Sequence, residues 1–387
     1  MRLAVEADLE SLRQSITAQA LTRVRPLAEQ VDRTQQFSWD LWKAVCDLGL
    51  TRLSFPERFG GDGGTIRAYA VASAELAQHC AVAALYPGTS IQVAAALIAH
   101  GSSHHVAAVV PRLVAGAAIG AWAFTEPATG SDPRQITTRA ARDGAGWVLT
   151  GDKQFISYAE QAEIALVFAR TSDTTLGAFL VDTSASGWSV GSPSEVLSMG
   201  GTEARPVRLD GVRIPQTAAV GAPDAGFEIM LSGEAFGKVR AAAICVGIAQ
   251  RALSEAANYG LTREHRGSPI ARRFPTIQAL LGNAAAQVLA AEALVLSCAD
   301  LLDQGASIPG EAASARLTAS RAAREAATAA MHVCGAYGLT RDMVVERLYR
   351  EAVFFDVAQG VAEIQQTIVG REVLTAAQKT GPGAGTR

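Results

Sequence analysis

The stretch Thr125-Glu-Pro-Ala-Thr-Gly-Ser-Asp132 decides how the rest of this 387-residue chain is read. It follows the weakly polar run from Ile119 to Phe124 and is dense in hydroxyls and small residues. It cannot form the middle of a helix: Pro127 fixes φ and carries no N–H, and Gly130 loosens the chain. What remains is a tight loop that offers hydroxyls and backbone N–H groups. Such a surface suits the edge of a planar heterocycle and a nearby phosphate or carbonyl.

The regions on either side differ in period. Residues 1–118 read as helical. Val5, Leu9, Leu12 and Ile16 recur at helical steps, and Phe37 to Leu48 forms a second amphipathic helix. No Asp, Glu, Lys or Arg occurs between Glu75 and Arg112. Pro87-Gly-Thr-Ser90 and Gln92 interrupt that run, so two buried helices around a turn explain it better than a membrane span. Phe55-Pro-Glu-Arg-Phe-Gly-Gly-Asp-Gly-Gly64 reads as a glycine-rich bend. No G-x-G-x-x-G follows a strand there, which leaves a Rossmann or P-loop site without support.

Downstream, residues 119–222 carry short apolar or alternating runs: Trp147 to Thr150, Ile164 to Phe168, Ala178 to Val181 and Val207 to Leu209. Asp143-Gly144, Gly151-Asp152 and Asp210-Gly211 punctuate them, as in a small barrel or sandwich. Residues 223–377 are helical again. Ile277, Leu281, Ala284, Val288, Ala291 and Val295 hold one helical stripe, and Ala322-Ala323 and Ala326-Ala327 permit close helix packing. Residues 378–387, rich in Gly and Pro, read as a loose tail.

At 49% hydrophobic and 18% charged residues the chain is globular, and its length suits two or three packed domains. The net charge of −3 shows no basic surplus, which argues against nucleic acid and anionic membrane as partners. The five cysteines contain no C-x-x-C, so neither a metal site nor a disulfide framework is expected. A reducing cytoplasm is the expected location, because the first residues turn acidic at once and show no apolar signal core.

Several spaced motifs, in order and over nearly the whole chain, resemble the acyl-CoA dehydrogenase family. Phe55-Pro-Glu with Gly60-Gly61 is similar to its P-E-x-Y/F-G-G bend, and Thr125 to Asp132 to its T-E-P-x-x-G-S-D loop. Phe155-Ile-Ser157 stands where W-I-T is usual, and Val212-Arg-Ile-Pro215 resembles V-x-V-P. Gly247-Ile-Ala-Gln250, Arg263, Gly335-Ala-Tyr-Gly338 and Arg347-Leu-Tyr-Arg350 match later helical segments. The resemblance implies an α+β, mostly α fold: a helical N-terminal domain (1–118), a central β-barrel or sandwich (119–222) and a C-terminal four-helix bundle (223–377). It implies FAD and an acyl thioester of CoA or an acyl carrier protein as substrate. An electron-transfer flavoprotein or oxygen would accept the electrons. The assembly would be a homotetramer, a dimer of dimers, or a heteromer with a related subunit.

By the same resemblance Phe124, Thr125, Gly130, Ser131, Phe155 and Ser157 contact the flavin. Thr125 would donate to the pyrimidine edge, where charge collects on reduction. Ser157 would stand near N5, with Phe155 flanking the ring. Arg263 would reach the FAD pyrophosphate from a neighbouring subunit, with Arg266 in place of the usual aromatic residue. Gln278 and Gly335 match other FAD contacts, and His332 replaces a Gln. Ser131, Lys238 and Gly360 fall on the substrate side. The plain alternatives are a cap for Ser131 and Asp132, core packing for Phe155 and a solvated charge for Arg263.

The pattern breaks at the chemistry. The family removes the α-proton of the thioester with a carboxylate while hydride leaves the β-carbon for the flavin. The aligned position here is Gln359, and an amide cannot accept that proton near neutral pH. The minority position, one helix earlier, is Gly237. The residues that touch the cofactor after the base become Val361-Ala362-Glu363. The backbone N–H of residue 359, which polarises the thioester carbonyl in the family, survives any substitution but proline. Three functions are therefore expected to compete. One is a desaturase with a displaced base, for which Glu234, Asp356 and Glu363 are the candidates. The second is a flavin monooxygenase or oxidase. The third is a non-catalytic subunit of a heteromeric enzyme.

Overall fold

Local chemistry sets the helices before the loop. In the computed structural model, which describes residues 2–144 and 146–380 (the last two without side chains), seven helices precede the first strand. They are α1 (Ala7–Arg23), α2 (Arg25–Thr34), α3 (Trp39–Asp47), α4 (Ile66–Ala77), α5 (Ala81–Leu85), α6 (Gly88–His100) and α7 (Ser103–Val114). Ser38 caps α3 by accepting from the N–H of Leu41 at 3.2 Å, and Ser102 with His105 forms a reciprocal capping box on α7. The charge-free run breaks at Pro87, between α5 and α6. In the bend after Phe55, Gly61 passes so close to the chain that a Cβ would lie 2.0 Å from the Phe55 carbonyl oxygen.

The strands are β1 (Gly120–Ala123), β2 (Arg139–Asp143), β3 (Gly146–Ile156), β4 (Ile164–Arg170), β5 (Leu176–Asp182), β6 (Trp188–Val190), β7 (Arg205–Pro215) and β8 (Ala219–Val220). They join into one mixed sheet in the order β6-β7-β3-β2-β4-β5-β8, with β1 parallel to β4. β4 is buried along nearly its whole length, which is why its sequence is apolar without alternation. β3 does alternate, but its pairing with β7 shifts register between Leu149 and Gly151 and again between Lys153 and Ile156.

After the sheet come α8 (Gly226–Ser232), α9 (Glu234–Thr262), the hairpin of β9 (Glu264–His265) and β10 (Ser268–Pro269), and α10 (Ile270–Arg273). Then follow α11 (Pro275–Asp303), α12 (Pro309–Cys334), α13 (Val345–Val357) and α14 (Ala362–Thr380). Residues 378–380, expected to begin a loose tail, instead belong to α14, which runs to Thr380; the rest of that expected tail, residues 381–387, lies outside the described residues.

Two compact units emerge. One comprises Ile16–Tyr69 and Val82–Glu234 and contains the whole sheet. The other comprises Met1–Ser15, Ala70–Ala81 and Ala235–Arg387, and apart from the β9–β10 hairpin its described elements are helices. Inside the helical unit, Gly247 of α9 approaches α4 so closely that a Cβ would sit 2.1 Å from the Ala74 carbonyl oxygen. Arg13 pairs with buried Glu292 at 2.8 Å. Two stretches, Ala81–His100 and Pro275–Asp303, are long and apolar enough to cross a bilayer by length and composition; the first is mostly buried in the protein.

Candidate functional site

In the sheet-bearing unit the site is built on the exit of β1. The chain leaves at Ala123, and Glu126 and Thr129 exchange backbone hydrogen bonds of 2.9 and 3.1 Å around Pro127 and Ala128. The hydroxyl of Thr129 donates to the carbonyl of Asp132 at 2.6 Å. Asp132 takes the capping role: its carboxylate accepts from the N–H of Arg134 at 3.1 Å and opens a 3₁₀ turn. Gln154 ties β3 to the loop by donating its N–H to the carbonyl of Thr125 at 2.8 Å.

Beneath this loop lies a pair that the sequence reading missed. Lys153, on β3, is wholly buried. Its Nζ donates to Glu126 at 2.9 Å, to the Phe168 carbonyl at 2.7 Å and to the Phe124 carbonyl at 3.2 Å. Glu126 also accepts from the N–H and hydroxyl of Thr137, each at 2.6 Å, and from the N–H of Thr138 at 2.9 Å. Burial alone would push the Glu126 carboxyl up. The Lys153 charge and the donors of Thr137 and Thr138 outweigh it and hold it at about 2. Burial draws the Lys153 ammonium down to about 8 against the Glu126 charge.

The predicted flavin contacts on this unit have unspent donors. Thr125 is half-buried and Ser131 is exposed, and neither hydroxyl has a partner among the described residues. The hydroxyl of Ser157, in the turn after β3, is free in the same sense. Phe124 is half-buried at the strand exit, and Gly130 faces Thr125, whose Cγ2 lies 3.6 Å from where a Cβ would be. Phe155 is 58% exposed at φ +56°, so it is not core packing. A bulky residue in the left-handed region carries strain that local structure must hold in place. Free hydroxyls beside an exposed, fixed aromatic ring are the donor set that a flavin edge and face require.

The helical unit holds the other predicted residues. Lys238 is buried on α9, and Arg263 follows the end of that helix, exposed. Arg266 and Gly267, at φ +51° and +75°, form the tip of the β9–β10 hairpin, so Arg266 takes a turn position. Gln278 spends its amide on the Ala271 carbonyl at 2.9 Å. His332 is exposed in the last turn of α12, and Gly335 ends that helix at φ +58°, ψ −136°, a conformation open to glycine.

Gln359 and Gly360 follow α13 as two successive left-handed residues, at φ +58° and +93°. Arg316 donates to the carbonyls of Phe355 and Ala358, the latter at 2.9 Å, and Gln365 donates to the carbonyl of Gly360 at 3.3 Å. Neither the N–H of Gln359 nor that of Gly360 has an acceptor among the described residues. Of the displaced-base candidates, Asp356 is paired with Arg324 at 2.8 Å, and Glu363 is exposed at the start of α14. Both line one cleft of about 300 Å³ with Arg321, Val357 and Val361. Gly237, on α9, has nothing within 4 Å of where a side chain would start.

Sequence profiles agree along the length of the chain. That of the acyl-CoA dehydrogenase N-terminal domain matches residues 6–117, that of the middle domain 121–212 and that of the C-terminal domain 224–374. The probable acyl-CoA dehydrogenase YngJ of Bacillus subtilis is 31% identical over 380 residues, 97% of this chain and 100% of its own. This chain belongs to the acyl-CoA dehydrogenase family. Members are FAD-dependent oxidoreductases acting on CH–CH groups, and FAD is the cofactor here. The chain is also 30% identical to the acryloyl-CoA reductase (NADH) of Anaerotignum propionicum, over 97% of this chain and 96% of that one. Butyryl-CoA dehydrogenase from Megasphaera elsdenii shares the fold with a TM-score of 0.92 at 26% identity, over 97% of this chain and 100% of that one. Within this acyl-CoA dehydrogenase fold the helical and mixed-sheet regions stand in the order the sequence implied.

Proposed function

We propose that the protein oxidises or reduces the α,β carbon–carbon bond of an acyl thioester and that its proton is handled by a group other than residue 359. The observation that carries this is the Gln359–Gly360 turn: two free N–H groups on a fixed left-handed backbone, beside a side chain that cannot act as a base. FAD, when bound, supplies the two-electron acceptor or donor. The hydroxyls of Thr125, Ser131 and Ser157 would meet its ring edge and Phe155 its face, while Arg263 and Arg266 would reach the phosphates of a flavin held by a neighbouring subunit. The N–H of Gln359 would donate to the thioester carbonyl and make the α-proton more acidic. Glu363, exposed and without an ion-pair partner among the described residues, is better placed to take a proton than Asp356, which Arg324 holds. The relatives named for acyl-CoA dehydrogenation and for acryloyl-CoA reduction run such a bond in opposite directions, which supports the substrate class.

We further propose a cytoplasmic oligomer, a homotetramer or a heteromer with a related subunit. Leu339, Val373 and Leu374 leave large apolar side chains uncovered on the helical unit, which supports it. An electron-transfer flavoprotein or oxygen would be the acceptor.

The test is anaerobic mixing of the flavin-loaded protein with a panel of acyl-CoA and acyl carrier protein thioesters. Bleaching of the flavin by one of them is expected. Gln359→Glu should raise that rate by about 10²–10⁴-fold, the usual worth of a positioned general base. A flavin that no thioester bleaches, before or after Gln359→Glu, sinks the reading. The uncharged amide at 359 favours a second one, a flavin oxidase or monooxygenase, which would instead consume oxygen in step with product formation.

A further inference from the structure

Arg316 lies on α12 with 1% of its surface exposed. Burying a guanidinium costs several kcal/mol unless its donors are met, and an apolar side chain would fill the same space without that cost. Arg316 has no carboxylate partner among the described residues, and Asp356, at the same end of α13, is paired with Arg324 instead. Its Nη2 donates to the carbonyls of Phe355 and Ala358, and the guanidinium carbon sits 5.5 Å from the Phe355 ring centroid. A cation at the C-terminus of a helix is favoured there by the carbonyls left unpaired in the last turn.

Those two bonds determine where the chain goes next. Ala358 leaves the helix extended, at ψ 153°, and Gln359 then enters the left-handed region. For a residue with a Cβ that conformation costs about 1–2 kcal/mol, so something must hold it. Arg316 grips the turn on one side, and Gln365, itself 2% exposed, grips the Gly360 carbonyl on the other. Between these buried anchors stand the two unsatisfied N–H groups, on exposed residues. We propose that Arg316 is a positioning residue that aims the N–H of Gln359 at the carbonyl oxygen of the bound acyl group. The inference rests on the acyl thioester reading above.

The test uses the flavin-loaded protein, reduced beforehand and kept anaerobic so that no hydride can leave the ligand, with butyryl-CoA labelled with ¹³C at its carbonyl. Isotope-edited infrared difference spectra report the hydrogen bond to that carbonyl, and calorimetry reports Kd. In the unaltered protein the carbonyl stretch should fall below its value in solution. In Arg316→Met and Arg316→Gln it should move back towards that value, with Kd about 10-fold weaker, the effect of about 1.4 kcal/mol. Arg316→Lys should restore most of the shift, which a purely structural loss would not predict. A carbonyl stretch in Arg316→Met, or in Arg316→Gln should only that variant fold, equal to that of the unaltered protein overturns the proposal. An unaltered protein that binds butyryl-CoA without any shift also overturns the proposal; if butyryl-CoA does not bind, the thioester of the panel that bleaches the flavin replaces it, and if none does, the thioester reading fails and this proposal with it.

Discussion

Two segments of this chain are held from beneath by a buried cation, in different ways. Under Thr125–Asp132, Lys153 meets a carboxylate as well as two carbonyls, and Glu126 in turn draws on Thr137 and Thr138. Under Gln359, Arg316 meets carbonyls alone. In the first, every member depends on another buried charge, so the loop stands or falls as a unit. In the second, Arg316 depends on no other buried charge among the described residues, and the Gln359–Gly360 turn beyond it is exposed. The sequence follows this division. Thr125 to Asp132 keeps the family wording throughout, whereas Gln359, Val361, Ala362 and Glu363 depart from it. The departures thus cluster around the exposed Gln359 turn and not around the buried Lys153–Glu126 pair.

The largest effect that could break this comparison is that of Lys153→Met. It strands Glu126 as an uncompensated buried charge and should cost about 3–5 kcal/mol, read from urea or thermal unfolding. Pairing it with Glu126→Gln should recover part of that loss, because the second change removes the stranded charge. If Lys153→Met proves no more costly than Arg316→Met, the two anchors do not differ as described.

Acid should reach the same pair. In the folded protein Glu126 gives up its proton at about 2, against 4.5 for the ordinary carboxyl. The unfolded chain therefore takes up more protons as the pH falls, and stability drops with it. The contribution is complete above pH 4.5 and disappears as the pH falls towards 2, about 3 kcal/mol in all. Unfolding titrations across that range should show the slope, and Glu126→Gln should flatten it. Arg316→Met comes next at about 1–3 kcal/mol, since the carbonyls of Phe355 and Ala358 each lose a donor.

Much of this was legible in the residues, for identifiable reasons. Pro127 and Gly130 forbid a helix, so the loop declares itself, and Pro87 breaks the charge-free run where the structure does. Lys153 was hidden because its face is set by the register of β3, and the shift between Leu149 and Gly151 spoils simple alternation. A signal for Arg316 was present: it falls on one stripe with Ala312, Ala319 and Ala323, all buried, where a lone cation among alanines is out of place. The β9–β10 hairpin stayed invisible because Arg266-Gly267 lacks the usual Asn or Asp ahead of glycine. Pairing of β3 with β7 joins segments far apart in the chain, which no local pattern announces.

The smallest effect on stability sharpens the functional side of the comparison. Gly237 sits inside α9 with open space around the point where a side chain would begin. Any residue with better helix propensity should therefore stabilise the protein by about 0.5–1 kcal/mol, and Gly237→Ala isolates that term. Gly237→Glu adds to it a carboxylate at the position where a minority of the family carries its base. If the helical unit lacks only a proton acceptor, Gly237→Glu should bleach the flavin faster with an acyl thioester while Gly237→Ala does not. Equal rates in the two variants would mean that a carboxylate on α9 cannot stand in for the one missing at 359, and would place the difference from its dehydrogenating relatives in more than a single side chain.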